Sequence, residues 1–235
     1  MSEEELKSMR HSLAHIMAQA IQHLWPQAKF GVGPAIDNGF YYDIYLDNGT
    51  ISEADLPKIE EEMRKIVAAD YPFERRDVSV EEAIDWAISG NQSFKVELLN
   101  DLKRSGTTVA SELAGEKMGS VSDGDSKVET VSLYSQGDYT DLCRGGHVDG
   151  TGKVGAFKLT KTAGAYWRGN ENNPQMQRIY GVAFATQEEL DEYLNRLEIA
   201  KQRDHRKLGK ELDLYTTSPL VGIGLPLFTP RGTIL

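Results

Sequence analysis

Met9-Arg10-His11-Ser12-Leu13-Ala14-His15 carries two patterns at once, and the chain is organised around them. Leu6, Met9, Leu13, Ile16, Ala20 and Leu24 recur with helical spacing, Ser2 and Glu5 have the form of a capping box ahead of them, and Pro26 stops the pattern. The stretch therefore reads as a helix. At about 100° per residue the apolar positions gather on one stripe, and His11 and His15 project from nearly the opposite side beside Ala14 and Ala18. A single histidine is most often a satisfied core residue or an exposed one, whereas two at i,i+4 are also a common catalytic or metal-ligating arrangement. The spacing of four returns at Cys143 and His147, the chain's only thiol and another imidazole. If the pairs meet in space, three imidazoles and one thiol share a cleft.

Composition bounds what that cleft belongs to. The 235 residues are 40% hydrophobic and 26% charged, enough apolar material for one large or two small domains. No run approaches the roughly 18 apolar residues of a membrane helix. The start, Met1-Ser2-Glu3-Glu4-Glu5, is acidic where a signal peptide would be basic. A cytoplasmic protein without a membrane partner is expected, and one cysteine allows no internal disulfide. The net charge of −10 argues against an indiscriminate grip on nucleic acid, which would need local basic patches.

Beyond the first helix, Asp37-Asn38-Gly39 signals a turn, and Phe40, Tyr42, Ile44 and Leu46 share one face of a strand. Phe40 reads as core, while Tyr42 suits either core or a substrate-orienting hydroxyl. A helix capped by Ser52 buries Leu56, Ile59, Met63, Ile66 and Val67 and exposes Glu60, Glu61, Glu62, Arg64 and Lys65. Pro72 to Val78 suggests a strand, Ser79 and Glu82 cap a short helix, and Ser93 to Lys103 forms another, on which Lys95 faces solvent by default. Ser105 to Lys127 is polar and glycine-interrupted, a long surface connection. Val128 to Tyr134 alternates as a strand, and Gly145 and Gly146 make the Cys143 to His147 segment a loop. Two further strands, Ala156 to Gly169 and Arg178 to Phe184, carry Lys158, Lys161, Arg168 and Arg178 as a basic, aromatic-interleaved surface suited to the sugar-phosphate end of an RNA, or as an ordinary charged face. Gln187 to Leu208 reads as one long amphipathic helix, and the segment from Pro219 looks like the threshold of another domain.

Five segments taken in order, Arg10 to His15, Asp37 to Asp43, Asp141 to His147, Lys161 to Gly169 and Arg203 to Gly209, resemble successive signatures of the threonyl-tRNA synthetase family. The resemblance implies an editing domain, shared with the alanyl enzymes, over residues 1–186 with an α/β part at about 52–104. It further implies a linker helix at 187–209 and the start of a class II aminoacylation domain at 210–235. The family's small N-terminal domain, class II catalytic motifs and anticodon-binding domain are not among these segments, so no ligase activity is expected of this stretch. The fold expected is α+β: the HxxxH-bearing helix on a largely antiparallel sheet, with a smaller α/β subdomain and a long C-terminal linker helix.

The activity so implied is hydrolysis of the ester joining serine to the terminal ribose of tRNA(Thr), and the acceptor end carrying serine is the partner. Serine lacks one methyl of threonine, and a synthetic pocket discriminates a missing methylene-sized group by only about 1–3 kcal/mol, so a second sieve is needed. The resemblance puts His11, His15, Lys95, Cys143 and His147 in the chemistry. Tyr42, Asp141, Arg144, Lys158, Lys161 and Arg168 form its substrate-binding set. An imidazole or the thiolate would take the proton of the attacking water, Lys95 would stabilise developing negative charge, and Asp141 would orient a partner or hold the serine amino group. No metal or other cofactor is expected to be required, although zinc could be held by His11, His15, Cys143 and His147. The alternative is a noncatalytic module that binds the acceptor end around a structural zinc. A full-length enzyme of this family is expected to dimerise through its aminoacylation domain.

Overall fold

The computed structural model describes residues 1–105, 128–218, 220, 222 and 224–234, so the expected connection over Ser105 to Lys127 lies almost wholly outside the described residues. Two compact units divide the chain, Met1–Gln187 and Glu188–Leu235.

In the first unit the opening helix α1 runs Glu3–Leu24. Its capping box is formed: the Glu5 amide donates to Ser2 Oγ at 3.2 Å and the Ser2 amide to Glu5 Oε2 at 2.7 Å, satisfying donors the first turn would otherwise strand. The mixed fold is α+β, with α1 lying against an antiparallel sheet in the order β1-β3-β8-β7. These strands are β1 (Lys29–Phe30), β3 (Gly39–Tyr45), β7 (Ala156–Tyr166) and β8 (Gln175–Phe184), and β2 (Ala35–Ile36) pairs with β3. Phe40, Tyr42 and Ile44 of β3 enter one core with Met9, Leu13, Ile16 and Ile21 of α1 and Ile59 and Met63 of α2 (Leu56–Ala69). A second antiparallel sheet, β4-β5-β6, joins Glu74–Ser79, Thr130–Gln136 and Tyr139–Leu142. With α3 (Val80–Ser89) and α4 (Ser93–Ser105) it builds a second core around Leu98, Leu99, Leu133 and Trp167. That smaller α/β part thus takes in β5 and β6 from well beyond residue 104, while α2 packs with α1.

Several single-face expectations are corrected by what covers each helix. From Ser12 to Ile21, α1 is buried on every side, because β3, α2 and β6 all pack on it. His15, read as projecting away from the core, is 2% exposed. Glu60, read as solvated, is buried, accepting from the Leu159 amide at 2.8 Å and from Lys158 Nζ at 3.1 Å. It thereby anchors the bulge between Leu159 and Lys161 in β7.

In the second unit, the single helix expected over 187–208 is interrupted. It forms α5 (Gln187–Gln202) and α6 (His205–Glu211), with the backbone carbonyl of Asp204 accepting from Leu208 at the start of the second. Aspartate favours that boundary position over a helix interior. A short hairpin, β9 (Tyr215–Thr217) with β10 (Pro226–Phe228), follows. No helix of the described residues is long and apolar enough to cross a membrane.

His23, in the last turn of α1, ties this helix to two other elements. Its Nδ1 lies 2.8 Å from Glu62 and its Nε2 2.9 Å from Asp138, two carboxylates that can only accept, so both ring nitrogens are protonated. Burial lowers the His23 pKa, but the bonds His23 donates to Asp138 and Glu62 outweigh it and raise the value above 6.5. A raised folded pKa contributes stability that is complete below the unfolded value and is lost as pH rises through the folded one. The Glu62 and Asp138 carboxyls are lowered, so their share is lost only in acid. Thermal unfolding of wild type and His23→Gln across pH is expected to show the largest gap between about pH 5 and 6, closing as pH rises through the raised folded pKa. A gap independent of pH would contradict this clamp.

Candidate active site

The two pairs do meet. His11 Nε2 lies 2.9 Å from Cys143 Sγ, and His147 Nε2 lies 3.3 Å from the same sulfur. Helix α1 supplies the first pair one turn apart, and the second follows β6 on a loop that bends through Gly145 (φ +105°) and Gly146 (φ +79°). An added Cβ at Gly145 would come within 2.3 Å of the Tyr134 hydroxyl, so both backbone angle and space demand glycine there. Ring packing holds the imidazoles: His147 stacks on His11 at 4.5 Å and on Phe73 at 4.6 Å, and His15 meets His147 edge-on at 4.3 Å.

Burial keeps the His15 and His147 rings neutral. The His147 pKa is held well below its ordinary value, first by burial and then by His15 and His11. His15 is depressed by burial, by His11 and by Lys95. Neutral imidazoles can accept a proton or ligate a metal.

Lys95, read by default as solvent-facing, is 3% exposed. It points from α4 toward β6, where Nζ sits 2.5 Å from Asp141 Oδ1 and donates to the Tyr42 hydroxyl at 3.1 Å. Tyr42 donates to Asp141 Oδ2, and the Leu142 amide donates to Oδ1 at 2.8 Å. Burial, then the Asp141 charge, push the Tyr42 pKa well up, so the phenol remains a donor. Asp141 Oδ2 lies 3.8 Å from His15 Nε2, linking this network to the imidazoles. The Tyr42 ring lies in the core, and its hydroxyl joins the Lys95–Asp141 network.

A cleft of about 780 Å³ opens onto this ensemble. His11, His15, Tyr42, Lys95, Asp141, Cys143, Arg144 and Arg168 line it. Lys158 and Lys161 do not line it: Lys158 pairs with Glu60, and Lys161 lies over the Tyr180 ring at 4.8 Å. The basic surface is largely compensated, since Arg168 meets Asp101 at 2.5 Å and Glu97 at 3.1 Å, and Arg178 grips Asp43 through two bonds. Sequence reading passed over Ser12, Phe73 and Tyr134. Ser12, a poor helix former inside a helix, offered a signal; the aromatics offered none beyond ordinary core character.

The four donor atoms of His11, His15, Cys143 and His147 all lie within 4.8 Å of one another. Tetrahedral zinc with nitrogen and sulfur ligands requires donor separations of roughly 3.3–3.8 Å, so the set is chemically suited and near the required spacing. Four protein ligands would close the shell, which is the structural rather than the hydrolytic arrangement.

Residues 131–180, from β5 into β8, match the family model described as threonyl and alanyl tRNA synthetase second additional domain, and Asp141, Cys143 and His147 fall within the matched residues. Nearly the whole chain is similar to part of the sequence of threonine--tRNA ligases. It is 50% identical over 232 residues to threonine--tRNA ligase of Geobacillus sp. (strain WCH70), covering 99% of this chain and 32% of that protein. It is 48% identical over 234 residues to threonine--tRNA ligase 1 of Bacillus subtilis (strain 168), covering 100% and 33%. The chain therefore spans about a third of the length of these relatives.

Proposed function

We propose that the first unit hydrolyses the ester of serine mischarged onto tRNA(Thr), as the proofreading part of a threonine--tRNA ligase acting in the cytoplasm. The observation that carries this reading is the convergence of His11, Cys143 and His147 beside the Lys95–Asp141 network at one open cleft. In that reading the cleft admits the acceptor end of the tRNA. A neutral imidazole or the Cys143 sulfur takes a proton from the attacking water, a second group protonates the departing ribose oxygen, and the Lys95 ammonium stabilises charge developing on the ester oxygen. Asp141 has its oxygens occupied by Lys95, Tyr42 and the Leu142 amide, which suits orienting these groups better than binding the serine ammonium. Arg144 and Arg168, at the cleft, are candidates for contacts to the tRNA end. Residues 1–186 would then be the editing domain, 187–209 the linker and 210–235 the beginning of the aminoacylation domain, through which the full enzyme dimerises.

Mixing the chain with seryl- and threonyl-tRNA(Thr) and following ester loss tests this directly. Seryl ester is expected to decay well above background while threonyl ester persists. Equal, background-level decay of both would refute editing by these residues.

The donor set supports a second reading, a noncatalytic acceptor-end module with zinc held by His11, His15, Cys143 and His147, where the ion would brace the helix against the loop. Metal analysis of protein purified without chelators separates the two. Stoichiometric zinc together with background-level ester decay would favour the second reading, and seryl-ester hydrolysis by zinc-free protein the first.

A further inference from the structure

Ser12 lies between the two histidines of α1, fully buried, and its hydroxyl has three polar neighbours. Ser12 Oγ donates to the Ser8 carbonyl at 2.9 Å, the Val148 amide donates to Oγ at 3.0 Å, and His147 Nδ1 lies 3.2 Å away. A hydroxyl has one proton and two acceptor sites. The carbonyl can only accept, so it takes the proton, and the Val148 amide fills one acceptor site. The remaining site can only receive a proton from His147 Nδ1.

We infer that Ser12 is a positioning residue that fixes His147 as its Nδ1–H tautomer and so turns a bare Nε2 toward the Cys143 sulfur. The consequence is a division of labour between two imidazoles that touch the same atom. His147 Nε2, 3.3 Å from Sγ, accepts the thiol proton in a hydrogen bond, and His11 Nε2, 2.9 Å from Sγ, is left as the donor to sulfur alongside the Gly145 amide at 3.2 Å. The same serine pins the Val148 amide, so one hydroxyl sets both the register of the loop against the helix and the proton arrangement of its histidine. A serine inside a helix back-bonds to the preceding turn at some cost to the helix, and here that bond is what leaves both lone pairs available.

The tautomer stands on hydrogen bonding alone, while its effect on rate rests on the ester-hydrolysis reading. Long-range proton–nitrogen correlation spectra of histidine-labelled protein at neutral pH report it, with the His147 signals assigned by their loss in His147→Asn. Wild type is expected to show His147 protonated at Nδ1, and Ser12→Ala is expected to move it toward the Nε2–H form. Seryl-ester kcat should fall roughly 10- to 100-fold in Ser12→Ala, the scale for partners that orient a functional imidazole, with KM little changed. Nε2 protonation in wild type would overturn the proposal even if Ser12→Ala failed to fold. An unchanged tautomer in a folded Ser12→Ala would overturn it too. The Nδ1–H form in a protein that hydrolyses no ester would support the role of Ser12 and refute editing instead.

Discussion

Cys143→Ala and His11→Ala are each expected to slow seryl-ester hydrolysis by about 100-fold or more, the loss that follows removal of a general acid–base group. The two side chains are in direct contact at 2.9 Å and share a sulfur that also meets His147 and the Gly145 amide. Residues acting as one unit lose function non-additively, so the double variant should be little slower than the worse single one. Multiplying losses would mean that the two groups act in separate steps. Near-wild-type rates in both single variants would show that the chemistry lies elsewhere in the cleft. Cys143 is only partly buried and its loop is held by Val148 and Ser12, so the alanine variant should keep its fold and make the kinetic result interpretable.

The largest expected effect on stability is at Lys95 and Asp141. Both are almost fully buried, and they form a 2.5 Å ion pair with Tyr42 and the Leu142 amide completing the shell of the carboxylate. Asp141→Ala strands an ammonium in the interior, and Lys95→Ala strands a carboxylate; either should cost about 3–5 kcal/mol in denaturant unfolding. Replacing both with apolar residues of similar volume should restore most of that, since the penalty comes from the orphaned charge more than from loss of attraction. A double variant as unstable as the sum of the singles would refute the pairing. A buried charge pair whose hydrophobic replacement is tolerated for folding but not for ester hydrolysis would mark these residues as retained for the reaction.

Much of the fold was legible in local patterns. Ser2 and Glu5, the apolar spacing through Leu24, and Pro26 delimit α1 because capping and periodicity act within a few residues. Ser79 accepts from the Glu82 amide at the start of α3, and Gly145 and Gly146 form the bend that their lack of a side chain permits. The meeting of the two pairs was legible only through the resemblance of several segments to one family, since nothing in a spacing of four says what will face it. The burial and pairing of the charged residues were not legible for the same reason. Glu60, Lys95, Lys158 and Arg168 each have a partner distant along the chain, and a hydropathy pattern carries no record of which charge will be covered or by what.

The helix, the strand alternation, the glycine bend and the chemical kinds of the candidate residues were determined by the sequence itself, because backbone preference, capping and side-chain chemistry are properties of neighbours along the chain. The packing of a second sheet and α4 against the first core, the burial of His15 and Lys95, and the single hydroxyl that orders His147 were decided by tertiary structure. Desolvation and hydrogen-bond direction are set by the groups that surround an atom in space, and those groups come here from α1, β3, α4, β6 and the loop that follows it.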